Sequence, residues 1–135
     1  MTANEAANLI DISAVRTAHS LSDIEEVVAI AKQYNFINVH SLPCWTKNVS
    51  KLLKDFPDIY VGAPVGFPGG AHKTCVKVLE ARELIADGVE EMDIVMNIGK
   101  FKNKEYDYVL NELNEIIALA PENVLTKVII EINCL

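Results

Sequence analysis

Residues 90–99 read "EEMDIVMNIG", and the two sides of this short run differ in kind. Met92, Ile94, Met96 and Ile98 fall on one side of an extended chain, and Glu91, Asp93, Val95 and Asn97 on the other. A strand in a parallel sheet covered by helices on both faces needs both sides apolar. One polar side therefore points to a barrel, with apolar residues on the helices and polar ones turned toward an inner site.

Neighbouring segments repeat the pattern. In "VLTKVIIEI" (124–132), Val128, Ile130 and Ile132 oppose Lys127, Ile129 and Glu131; in "FINVHSL" (36–42), Ile37 and Val39 oppose Asn38, His40 and Leu42. Two further strands are expected at "ANLIDI" (7–12) and "IYVGAPVGF" (59–67). Between the strands lie helical periodicities. "LSDIEEVVAIAKQYN" (21–35) places Ile24, Val27, Val28 and Ala31 at helical spacing, with Ser22 and Glu25 as an expected capping box. "TKNVSKLLKDF" (46–56) and "KTCVKVLEARELIAD" (73–87) follow, the latter ending at Gly88. A last helix carries Tyr106, Val109, Leu110, Leu113, Ile116, Ile117 and Ala120 on one face and is closed by Pro121. Strand and helix in alternation predict parallel strands joined by right-handed crossovers. Periodicity alone fits a doubly wound sheet as well as a (β/α)8 barrel; the polar strand faces favour the barrel.

Composition sets outer bounds. The 135 residues are half hydrophobic and 23% charged, an ordinary globular balance for a single domain over 1–135. A formal net charge of −7 argues against nucleic acid held on a broad basic surface. An anionic small molecule is still compatible, through a local lysine cluster. No apolar run approaches the ~20 residues of a membrane span, and the first ten residues lack signal-peptide character. Cys44, Cys75 and Cys134 read as reduced thiols, which predicts a cytoplasmic protein.

Inward-facing Asp93 and Lys127 are natural partners for each other, because a buried charge needs an opposite one. A structural ion pair within a sheet is the less favoured alternative. "GAPVGFPGGAHK" (62–73) is either a backbone lining for a substrate site or a tight turn, and it fits neither the P-loop nor the dinucleotide spacing. His72 and Cys75 lack a second ligand pair, so no metal site is expected.

"VGFPGG" (65–70), "KVLEARELIADGVEEMDIVMNIG" (77–99) and "TKVIIE" (126–131), with "LID" (9–11) and "PCW" (43–45), resemble deoxyribose-phosphate aldolase. The resemblance is most specific from Val61 to Glu131. It implies a metal-free, cofactor-free class I aldolase on a (β/α)8 barrel. That reaction cleaves 2-deoxyribose 5-phosphate to glyceraldehyde 3-phosphate and acetaldehyde through a lysine Schiff base. It makes Asp93 the acid of a proton relay and Lys127 a lysine of the site, with Asp11, His40, Asn97 and Glu131 as substrate-site lining. His40 stands where the family usually has cysteine, Leu42 where it usually has asparagine, and "DISAVR" (11–16) replaces a more usual Asp-His-Thr run while keeping Asp11.

A complete barrel takes ~250 residues. The fold class expected is therefore α/β, a partial barrel of five parallel strands and four helices. The Schiff-base lysine and the phosphate-binding strands are expected beyond position 135, so the isolated chain is expected to be inactive. A self-associating, non-catalytic half-barrel, paired through exposed strand edges as a homo-oligomer, is the alternative. The partners expected are a small phosphorylated sugar or aldehyde, with no nucleic acid and no membrane.

Overall fold

The computed structural model describes residues 2–135. A helix, α1 (Ala3–Ala7), comes first and takes in Ala7, where the first strand was expected to begin. Thr2 and Glu5 cap it reciprocally, Thr2 N–H donating to Glu5 Oε2 at 2.7 Å and Glu5 N–H to Thr2 Oγ1 at 3.3 Å. The first strand accordingly starts late, as β1 (Asp11–Ala14). There follow α2 (Leu21–Tyr34), β2 (Asn38–Ser41), α3 (Thr46–Leu53), β3 (Tyr60–Val65), α4 (Thr74–Ala86) and β4 (Glu91–Val95). The chain continues through α5 (Ile98–Lys102), α6 (Tyr106–Ile117) and β5 (Leu125–Ile129). Among the described residues no helix is long and apolar enough to cross a membrane.

All five strands are parallel and lie in the order β1-β2-β3-β4-β5. A doubly wound sheet reverses direction at a switch point. This sheet never does, so crossovers of one hand put every helix that joins two strands on the same side. The opposite face stays uncovered by helices, which is the geometry of an opened barrel.

On the helix side the strands contribute Ala14, Val39, Val61, Ala63, Val65, Met92 and Ile94, each buried. They pack in two clusters. One joins β1–β3 to Ile24, Val28 and Ala31 of α2 and to Val49 and Leu53 of α3. The other joins β3 and β4 to Ala81 and Leu84 of α4 and Ile116 of α6. Burial of roughly 1.5–3 kcal/mol per large aliphatic side chain holds helices to sheet.

Several boundaries depart from the sequence expectation for identifiable reasons. The capping box of α2 is Ser20 with Asp23, not Ser22 with Glu25: Ser20 N–H donates to Asp23 Oδ2 at 2.6 Å and Asp23 N–H to Ser20 Oγ at 3.4 Å. α3 stops at Leu53 rather than Phe56, since Pro57 disfavours helical backbone just before it. β4 stops at Val95, because Asn97 turns to cap α5, its Oδ1 accepting from Lys100 N–H at 3.1 Å. β5 stops at Ile129, and Glu131 takes a left-handed backbone at φ 48°. Ile130, Glu131 and Ile132 are therefore not strand residues.

One buried ion pair ties the helix layer to the strand ends. Lys77 of α4, fully buried, donates from Nζ to Glu112 Oε1 of α6 at 2.7 Å and to the Val95 carbonyl at 2.8 Å. Thr74 Oγ1 donates to the second Glu112 oxygen at 3.2 Å. Gly66 makes room for the lysine, since a Cβ there would come within 2.7 Å of Lys77 Cε.

Candidate functional site

Strand parity sends Asp11 and Ser13 of β1, Asn38 and His40 of β2, Gly62 and Pro64 of β3, Glu91 and Asp93 of β4 and Lys127 of β5 to the uncovered inner face. Four of the five strands thus deliver one histidine, one amide, three carboxylates and one amine to a common patch. Gly62 is what allows them to meet. A Cβ at this position would collide with His40 Nδ1 and Asn38 Oδ1, so the missing side chain is the space in which those groups lie.

Glu91 is the hub. Its Oε1 accepts from Asn38 Nδ2 at 2.7 Å and from Lys127 Nζ at 2.6 Å, although its side chain is almost fully buried. Lys127 Nζ also reaches Asp11 Oδ2 at 3.1 Å. The expected Asp93–Lys127 partnership is not formed. Asp93 and Lys127 do sit opposite each other in register, yet the amine bends back toward the start of the strands, where Glu91 and Asp11 both await it. Burial acts to lower the Lys127 pKa, but the hydrogen bonds to Glu91 and Asp11 outweigh it and raise the value above that of an ordinary lysine.

Asp93 faces His40 instead. His40 Nε2 lies 3.5 Å from Asp93 Oδ2, and Nδ1 lies 3.9 Å from Glu91 Oε1. The imidazole is 6% exposed, and this burial lowers its pKa despite the opposing pull of Asp93, Glu91 and Asp11. Neither His40 Nε2 nor Asp93 Oδ1 has a hydrogen-bond partner among the described residues. Above the cluster, Asp11, Ser13, His40 and Asp93, with Pro64 and Ile129, line an open cavity of about 160 Å³. That is room for a small polar molecule, with carboxylates and an imidazole in its wall.

Of the residues the sequence nominated, Asp11, His40, Asp93 and Lys127 come together here. Asn97 does not join them; it is buried at the N-terminus of α5. Glu131 lies past the end of β5 and is exposed. Glu91 and Asn38 were not nominated, although the alternation that singled out Asp93 and His40 passes through both.

No family model matches the chain. Curated proteins do: it is 46% identical over 133 residues to deoxyribose-phosphate aldolase of Klebsiella pneumoniae, covering 96% of this chain and 53% of that one. The corresponding figures for the Rhizobium meliloti enzyme of the same name are 40% over 129 residues, 95% and 51%. The similarity is to deoxyribose-phosphate aldolases. Solved structures agree. A Coccidioides immitis protein assigned to deoxyribose-phosphate aldolase superposes on the whole chain with a TM-score of 0.94, at 28% identity and over 53% of its own length. Deoxyribose phosphate aldolase of Aeropyrum pernix, described as a tetramer, gives a TM-score of 0.87 at 25% identity, covering 96% of this chain and 54% of that one. The chain thus spans about half the length of the aldolases it matches, and the five-stranded sheet is the corresponding part of their barrel.

Proposed function

We propose that this chain forms the proton-handling wall of a deoxyribose-phosphate aldolase site and does not supply the covalent nucleophile. The substrates are a small phosphorylated sugar and an aldehyde, and the compartment is the cytoplasm. The observation that carries the reading is the clasp on Lys127. A Schiff-base lysine must attack as a neutral amine. Lys127 instead donates to two carboxylates, at 2.6 and 3.1 Å, which favours the ammonium. Its role is a fixed positive charge beside the bound carbonyl compound. Asp93, with one oxygen unpartnered and its side chain on the cavity wall, takes and returns the proton. Three free cysteines support the reducing compartment.

The test is reductive trapping of the 135-residue chain with acetaldehyde and borohydride, followed by peptide mapping. No ethyl adduct is expected on Lys127. A stoichiometric adduct there would make Lys127 the nucleophile and overturn the reading.

A second reading is a self-associating half-barrel, favoured by the outer side of β5. Val128 and, just past the strand, Ile130 are exposed and line an almost wholly apolar groove with Met96, Phe101, Tyr106 and Leu110. An unpaired strand edge flanked by such a groove is an association surface. Light scattering decides: a concentration-independent dimer favours this reading and a monomer excludes it.

A further inference from the structure

We propose that His40 is the positioning residue of the proton-transfer step: a neutral imidazole carrying its one proton on Nε2, it holds the Asp93 carboxylate in place through Oδ2. The proposal rests on the reading of Asp93 as the proton carrier and adds the group that orients it.

Three observations converge. First, little else holds Asp93. Its Oδ1 is buried without a hydrogen-bond partner among the described residues. Among those residues its one ion-pair contact is with His40, whose Nε2 lies 3.5 Å from Oδ2. Second, the ring has a single proton to give, and Nε2 is where it is useful. A neutral imidazole carries one N–H. Nδ1 lies 3.9 Å from Glu91 Oε1, beyond hydrogen-bond range, and that oxygen already accepts from Asn38 and Lys127. Asn38 Oδ1, which shares the space beside Gly62 with Nδ1, accepts no hydrogen bond. Nε2 instead faces a carboxylate that has no competing donor. Catalytic hydrogen bonds are often long before substrate binds and tighten in the reacting complex. Third, the ring is fixed. His40 is buried, and its Nδ1 edge lies where a side chain at Gly62 would collide with it.

The surrounding charges decide what kind of donor His40 is. Asp93 and Glu91 of β4, Asp11 of β1 and Lys127 of β5 are the titratable groups that face it. Burial lowers the imidazole pKa by more than the three carboxylates raise it, and Lys127 adds to the lowering. At neutral pH the ring therefore donates one hydrogen bond and carries no charge. Asp93 gains a donor without gaining a counter-ion.

The experiment is imidazole ¹H–¹⁵N NMR of the labelled 135-residue chain at neutral pH. The chain has three histidines, and the His40 signals are those absent from H40Q. A ring protonated on Nε2 is expected, with that proton protected enough from exchange to be seen. It should be lost to exchange in D93A and kept in E91Q. D93N should lower the His40 titration midpoint further than E91Q does, because Asp93 is the largest of the charges that raise it. The Asp93 side-chain couplings should report one χ1 rotamer in the wild type and averaging in H40A. One rotamer should return in H40Q, whose amide donates in place of Nε2–H. Circular dichroism reports folding, and the D93A and E91Q arms decide if H40A does not fold. A ring protonated on Nδ1, an Nε2–H signal that survives in D93A or vanishes in E91Q, or Asp93 couplings indifferent to residue 40 would each overturn the proposal. Reductive trapping reads Lys127 and not this pair, so an adduct on Lys127 with the NMR pattern intact would sink the aldolase reading alone.

Discussion

Lys127 Nζ lies 3.1 Å from Asp11 Oδ2, so the last strand of the sheet is tied to the first. The same amine holds the far more buried Glu91 at 2.6 Å. The two bonds differ in worth. Asp11 and Lys127 are both solvent-accessible, and an exposed pair contributes little. Glu91 is 3% exposed, and leaving a buried carboxylate short of a donor costs far more. K127M should therefore lower unfolding free energy by about 2 kcal/mol, and D11N by about 0.5 kcal/mol. Urea denaturation of both variants checks the ranking; equal effects would mean that the edge-to-edge bond carries the stability.

Gly62 makes a sharper case. A methyl group added there meets His40 Nδ1 and Asn38 Oδ1, buried side-chain atoms that must shift to admit it. G62A should destabilise by about 1–3 kcal/mol through overpacking. In the H40A background the same substitution should cost clearly less, because half of the collision is gone. The double-mutant cycle measures that coupling, and additivity would show that His40 does not occupy the space beside Gly62.

Strand parity was legible wherever a strand persists. Met92 and Ile94 face the helices and Asp93 faces inward, because alternation is a property of extended backbone alone. It carries no mark of where the strand stops. Asn97 keeps the inward parity of Asp93, yet its amide caps α5. Glu131 keeps the parity of Lys127, yet its backbone has turned left-handed. The partner of Lys127 was not legible either. Register places Asp93 opposite it, but a side chain four carbons long spans a whole layer and finds two carboxylates below instead of one beside it. Lys77 and Glu112 gave no signal: charged residues within helices read as solvated, and only the packing of α4 against α6 shows them buried.

That buried pair yields the largest expected loss. Lys77 is 0% and Glu112 1% exposed, and each is the other's counter-charge at 2.7 Å. K77M alone strands a carboxylate in the interior and should cost about 3–5 kcal/mol. K77M combined with E112L removes both charges together and should recover most of it, since a buried ion pair is often no better than apolar packing of similar volume. Thermal unfolding of the single and double variants reads the difference directly. A double variant no more stable than K77M would locate the loss in the Lys77 bond to the Val95 carbonyl instead.

The start of α2 makes a prediction in pH. The Ser20 side chain, and then its backbone N–H, hydrogen-bond the Asp23 carboxylate and hold its pKa below the ordinary aspartate value. A carboxylate whose pKa is lower folded than unfolded binds fewer protons in the native state across that interval, so stability rises with pH through it. The contribution is complete above the unfolded value of ~3.9 and is lost as pH falls through the lower folded value. S20A removes the cap's side chain and should cost about 1 kcal/mol at neutral pH. As pH drops below about 4, Asp23 protonates first in the unfolded chain and in S20A, and only at lower pH in the folded wild type, so the gap between wild type and S20A should narrow. Urea midpoints measured from pH 7 down to pH 3 test this. A gap that stays constant would assign the cap to the serine hydroxyl alone, with no part for the Asp23 charge.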